Sequence, residues 1–259
     1  MKISIKPVLL KYFVLAAGGI GLVLRALLYA LATDEQGLLS RNHPLSILLV
    51  ALTVVVLAGL FLLTRSITGP ERFHDCFHPS IPGGIGCLLA AAGILLTTIS
   101  EMAGPTDSVG LIVRIFGFLS VAALLVAALS RLMGSQASFL FYVAVCLYFC
   151  LRMVSQYRSW SSTPQLQDYC FQLLGCVSLM ITAYHHAAFN VDMGRHRSLW
   201  FFSLMSVFLC CLSLAGPENQ LFYLGTGIWA FTNLTSLTAR HRRQRPNLQL
   251  EEERDSGEV

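Results

Sequence analysis

Three arginines, Arg25, Arg114 and Arg152, interrupt stretches of sequence that are otherwise apolar. A guanidinium stays charged and presents five N–H donors in a planar fork, so its characteristic chemistry is bidentate binding of a carboxylate or phosphate. Within a bilayer such a charge costs on the order of 3 kcal/mol or more, and it persists where it faces neighbouring helices and is paired or functional. Glu101 and Gln172 are the polar residues that fall at similar depth in neighbouring runs. These five residues form the candidate ligand-binding set.

The elements that must position them are long and apolar. Only 12% of the 259 residues are charged, against roughly 25% in soluble domains, which places the chain in the membrane class. Eight runs are long enough to span: 8–32, 43–65, 80–100, 107–131, 136–157, 166–192, 198–215 and 219–239. The expected fold is an all-α polytopic bundle of eight transmembrane helices over residues 1–239. The first run is too long for the apolar region of a signal peptide and reads as a retained helix.

The loop charges set an orientation. Lys2, Lys6, Arg65, Arg72, Arg131, Arg195 and Arg197 fall on one side with the basic cluster Arg240–Arg245, whereas the other side has only Arg41 and Arg158. The positive-inside rule then puts both termini in the cytoplasm, in a cell membrane of bacterial type. Residues 240–259 read as a basic, then acidic, disordered tail whose basic part lies against anionic headgroups. The eight cysteines fall mostly within the runs and suggest no disulfide framework.

On this topology the arginines gather toward the outer face. Arg25 and Arg114 each sit roughly 10 Å from the outer end of their runs, at ~1.5 Å per residue. Gly18, Gly21, Arg25 and Tyr29 share one helical face, as do Gly110, Arg114, Gly117 and Val121. Small residues allow close helix approach, so both arginines should face other helices. Tyr148, Arg152, Ser155 and Ser159 form a polar stripe on the fifth run. Residues Gln156 to Pro164 form an outer loop in this reading, with Tyr157 and Trp160 in the interfacial aromatic belt or over the site as a lid. Two readings stand side by side. In one, the guanidinium groups bind a small anionic or amphiphilic ligand from outside; in the other, Glu101, Asp107, Asp168 or Asp34 neutralises them and they glue the helices together.

Ala103-Gly-Pro105 and Ala215-Gly-Pro217, with Leu24-Arg25 and Leu151-Arg152, hint at a parallel four-plus-four repeat. On the cytoplasmic side, His74, Cys76, His78, His185, His186 and His196 include metal-ligand types, which keeps an intramembrane metal-dependent lipid hydrolase open as an alternative. Adjacent His185 and His186 point about 100° apart on a helix, which disfavours shared ligation. No Walker loop, dinucleotide fingerprint, H-E-x-x-H or G-x-S-x-G occurs. The expectation is therefore a multi-pass membrane protein with no catalytic residue, cofactor or metal and no nucleic-acid partner. It binds or transports a small anion, or serves as a structural, partner-stabilising subunit.

Overall fold

The computed structural model describes residues 7–32, 43–65, 67, 79–103, 108–160, 169–216 and 218–243. Eight α-helices appear among them: α1 (Pro7–Ala32), α2 (Pro44–Thr64), α3 (Ile81–Met102), α4 (Ser108–Met133), α5 (Phe139–Trp160), α6 (Cys170–Asn190), α7 (His196–Ser213) and α8 (Gln220–Arg243). No strand occurs among the described residues. Asp34, Asp107, Asp168, His74, Cys76, His78 and the tail from residue 244 lie outside them. The backbone of α8 is helical through Arg243, so the start of the basic cluster continues a helix.

Six helices, α1 to α5 and α7, are long and apolar enough to cross a membrane. The other two, α6 and α8, carry polar residues that are packed inside. Gln172, Ser178, Thr182, His186 and Asn190 are all buried on α6, and Thr226, Asn233 and Ser236 on α8. A helix shielded from lipid by its neighbours can carry polar groups toward the interior of the bundle.

Helices α3 to α8 pack in chain order as a closed ring, completed by α8 against α3. Helix α6 also touches α8 across it, and α1 and α2 pack outside on α7. The parallel repeat would equate α3–α8 with α7–α4. Yet α3–α8 is the most extensive seam, and α7–α4 is not among the packed pairs. The ring therefore lacks that symmetry.

Close approach at the α3–α8 seam comes from small residues on both sides. A Cβ on Gly93 would meet the Leu221 carbonyl oxygen at 2.7 Å, and one on Gly225 would press into the Leu89 carbonyl. The expected inward faces of α1 and α4 form likewise. Gly18 and Gly21 lie on Cys211 and Leu212 of α7, and Gly117 lies on Thr98 and Tyr148.

Local signals set the helix ends. Ser80 caps α3 by accepting from the Gly83 N–H at 2.9 Å. Helix α4 ends at Gly134, whose φ of +72° is left-handed, and the Ser135 N–H returns to the Ser130 carbonyl at 2.9 Å. A Cβ there would also come within 2.6 Å of Pro79 Cγ. Gly134→Ala is expected to cost about 1–2 kcal/mol through backbone strain and this clash. A thermal melt of the protein in lipid nanodiscs measures it; an unchanged midpoint contradicts the assignment.

Candidate functional site

Glu101, one residue before the end of α3, brings two of the three arginines together. Arg152 Nη2 of α5 lies 3.0 Å from Glu101 Oε1, and the two side chains are 1% and 38% exposed respectively. Half-buried Arg114, in the second turn of α4, donates to the Glu101 backbone carbonyl. That carbonyl lies in the last turn of α3, where the helix dipole is negative and a guanidinium is favoured. One residue thus presents its carboxylate to Arg152 and its peptide oxygen to Arg114.

Arg152 is enclosed on its remaining sides. Its Nη1 donates to the Tyr148 hydroxyl at 3.2 Å, one turn back on α5. The guanidinium carbon stands 4.6 Å from the centroid of the Phe222 ring of α8, a cation–π contact. The ion pair rests on distance rather than aligned N–H bonds, since Nε and Nη2 have no hydrogen-bond partner.

The layer continues across α5, α6 and α8. Cys176 Sγ donates to Gln156 Oε1 at 3.5 Å and lies 3.6 Å from the Tyr223 hydroxyl. That hydroxyl donates to the Gln172 backbone carbonyl at 3.1 Å. The Gln172 side chain, fully buried, donates through Nε2 to the Glu218 carbonyl at 3.3 Å. Gln172 Oε1 and Gln156 Nε2 are buried without a hydrogen-bond partner. Native interiors satisfy most buried polar groups, so unmet donors and an acceptor in one layer mark it out.

Arg25 belongs to a different seam. It is 2% exposed, donates through Nη1 to the Leu212 carbonyl of α7 at 2.8 Å and through Nη2 to Tyr29 at 3.2 Å. Its guanidinium also faces the Phe171 ring at 5.2 Å. The Ser213 hydroxyl, beside Leu212, bonds the Phe171 carbonyl at 3.2 Å, so this seam adjoins Gln172 through the backbone. Glu101, Arg114 and Arg152 therefore form one cluster, Gln172 borders it, and Arg25 clamps α1 to α7 beside it.

Gln156 belongs to this layer although it falls near the end of the apolar run, where the sequence reads as the start of an outer loop. The helix continues to Trp160, and its buried stripe is Tyr148, Arg152, Gln156 and Trp160. Ser155 is half-buried and Ser159 exposed. The usable signal was spacing: Gln156 lies one turn beyond Arg152 on the same face. Trp160 stacks on Tyr169 at 4.2 Å, inside the fold rather than in an outward aromatic belt. Asn233 does not bridge helices through its amide nitrogen, which donates to the Trp229 carbonyl of its own helix at 2.9 Å.

The two adjacent histidines diverge. His185 stacks on Phe202 at 5.4 Å, whereas His186 lies inside against Tyr142 and Trp229. His196 accepts from Trp200 Nε1 at 2.9 Å. Among the described residues, no three His, Cys, Asp or Glu side chains come together as a metal-binding group.

Comparison with protein families, with characterised proteins and with solved structures finds no match to this chain.

Proposed function

We propose that this is an eight-span integral membrane protein, with both termini cytoplasmic, that binds or transports a small anionic or amphiphilic ligand entering from the outer side at Arg152. In this reading α6 and α8 also cross the membrane, shielded by the other helices of the ring. The loop charges orient it, with Glu101, Arg114 and Arg152 near the outer face. The membrane is the cell membrane.

One observation carries the proposal: the pair at Arg152 is asymmetric. A fully buried guanidinium is neutralised by a carboxylate that is 38% exposed. The exposed partner can swing away at small desolvation cost, whereas the arginine cannot leave. Glu101 then stands in for a ligand carboxylate or phosphate, and Gln156 Nε2 and Arg152 Nε are donors left over for it. Gln172 Oε1 is an acceptor at the border of the same layer.

A structural reading is favoured by Arg25 alone. Its protein hydrogen bonds and ring contacts serve to hold α1 on α7, and it is assigned that role here. The wider alternative, a partner-stabilising subunit, makes the whole layer such a clamp.

The experiment is thermal stability in neutral-lipid nanodiscs at fixed ionic strength, with acetate, phosphate and sulfate as probes. A ligand at about a hundred times its dissociation constant stabilises the folded state by ~2.7 kcal/mol. A midpoint shift with at least one anion, abolished in Arg152→Met, is expected. An equal shift in wild type and Arg152→Met contradicts the proposal.

A further inference from the structure

Three cations that the sequence places in cytoplasmic loops take different positions in the fold. Arg131 is 3% exposed, drawn into the bundle by the last turn of α4. Arg65 and Arg197 stay at the surface. Arg65 is the C-cap of α2, and Arg197 is the second residue of α7. These two helices pack together, and both arginines reach the same side chain. The Arg65 guanidinium carbon stands 5.2 Å from the centroid of the Phe61 ring, and that of Arg197 stands 5.8 Å from it.

Two like charges on one ring repel each other, and the cation–π attraction offsets only part of that cost. Among the described residues, no carboxylate pairs with either arginine. The helix dipole favours Arg65 at the end of α2, but at the start of α7 it disfavours a cation and favours an anion. Arg195, the N-cap of α7, makes no side-chain cap bond and is itself an exposed cation. The patch lacks a counter-charge.

Its depth points to lipid. Arg65 directly follows the 21-residue apolar helix α2, and Arg197 precedes the apolar body of α7. On the membrane reading, both charges lie at the cytoplasmic edge of the hydrocarbon layer, level with headgroup phosphates. On the membrane side of them Phe61 and Leu62 are exposed, and Phe61 meets Phe201 of α7 edge-on at 5.9 Å. Paired cations above exposed apolar surface match an amphiphile with its phosphate at the edge and its acyl chain below.

We propose that Arg65 and Arg197 clamp the phosphate of an anionic phospholipid of the cytoplasmic leaflet, with an acyl chain lying over Phe61 and Leu62. A guanidinium binds phosphate through paired N–H bonds, and Phe61 holds both forks at one level. A headgroup such as that of phosphatidylglycerol brings the net negative charge that the patch lacks, whereas a zwitterionic one brings none. The bound lipid ties the end of α2, which packs outside the ring, to α7. The site rests on the membrane reading and not on anion binding at Arg152.

The test is native mass spectrometry of the detergent-solubilised protein titrated with phosphatidylglycerol or phosphatidylcholine. The expected result is one phosphatidylglycerol adduct that saturates at a lower lipid concentration than any phosphatidylcholine adduct. Arg65→Gln and Arg197→Gln should each raise its half-saturating concentration about fivefold, and the two together about 25-fold. Phe61→Leu keeps both charges but removes the ring that aligns them, and should raise it about threefold. It serves as the test where an arginine variant does not fold. Arg240→Gln with Arg242→Gln removes as much charge from the basic cluster and should leave this adduct unchanged. Equal weakening in that control overturns the clamp, as does equal affinity for the two lipids. Millimolar inorganic phosphate should leave the adduct in place; displacement by it identifies a free-anion site and overturns the lipid assignment. Arg152→Met should bind the lipid as wild type does, so failure here is separate from failure at Arg152. A chain that stays in solution without detergent overturns the membrane reading itself.

Discussion

Glu101→Gln is expected to destabilise the protein by on the order of 2–3 kcal/mol, because it strands a fully buried guanidinium without its counter-charge. Breaking an entirely buried pair from one side costs about 3–5 kcal/mol. The lower figure applies because the carboxylate is 38% exposed and its share of the attraction is screened. Arg152→Met should cost less than Glu101→Gln. It removes the charge that needs neutralising, fills the space with an apolar chain, and leaves Glu101 where water reaches it. The double variant should therefore be more stable than Glu101→Gln alone, a non-additivity that a double-mutant cycle in nanodiscs measures directly. Strictly additive losses would mean the two side chains do not depend on each other.

The second large effect is at the α3–α8 seam. Gly225→Val places a branched side chain against the backbone carbonyl of Leu89, which cannot rotate away as a side-chain tip could. The helices must separate, and overpacking of this kind costs about 1–3 kcal/mol or more. Because Phe222 and Tyr223 lie within one turn of Gly225, the damage should reach the Arg152 layer as well. Loss of anion-dependent stabilisation together with a lowered melting midpoint is the expected pattern. A variant with unchanged melting would show that α3 and α8 are not in close contact.

Helix placement was legible because runs of about twenty apolar residues have few alternatives. Orientation of the arginines was legible for a related reason: glycines one turn away on α1 and α4 marked the faces that must meet other helices. The partner of Arg152 was not. Depth alone left Glu101 and three aspartates as equal candidates, and it is the folded bundle that brings the Glu101 carboxylate at the end of α3 to 3.0 Å from Arg152. Arg131 was misplaced by sound logic, since cations near the end of an apolar run usually belong to a loop. Here the helix runs on to Met133 and turns the residue inward. Gln156 reads as the start of a loop because it falls near the end of the apolar run, whereas α5 continues to Trp160 and buries it. The Ala-Gly-Pro fragments that suggested duplication are made of residues common at helix ends, and the packing of the described helices does not show that symmetry.

The central claim is that Glu101 occupies the place of a ligand anion on Arg152. The most direct measurement is the melting midpoint of Glu101→Gln in nanodiscs, with and without acetate, at constant ionic strength. The expected result is rescue: acetate raises the midpoint of Glu101→Gln more than that of wild type, and has no such effect once Arg152→Met is added. A Glu101→Gln protein whose lost stability acetate does not restore, or restores equally without Arg152, would contradict it.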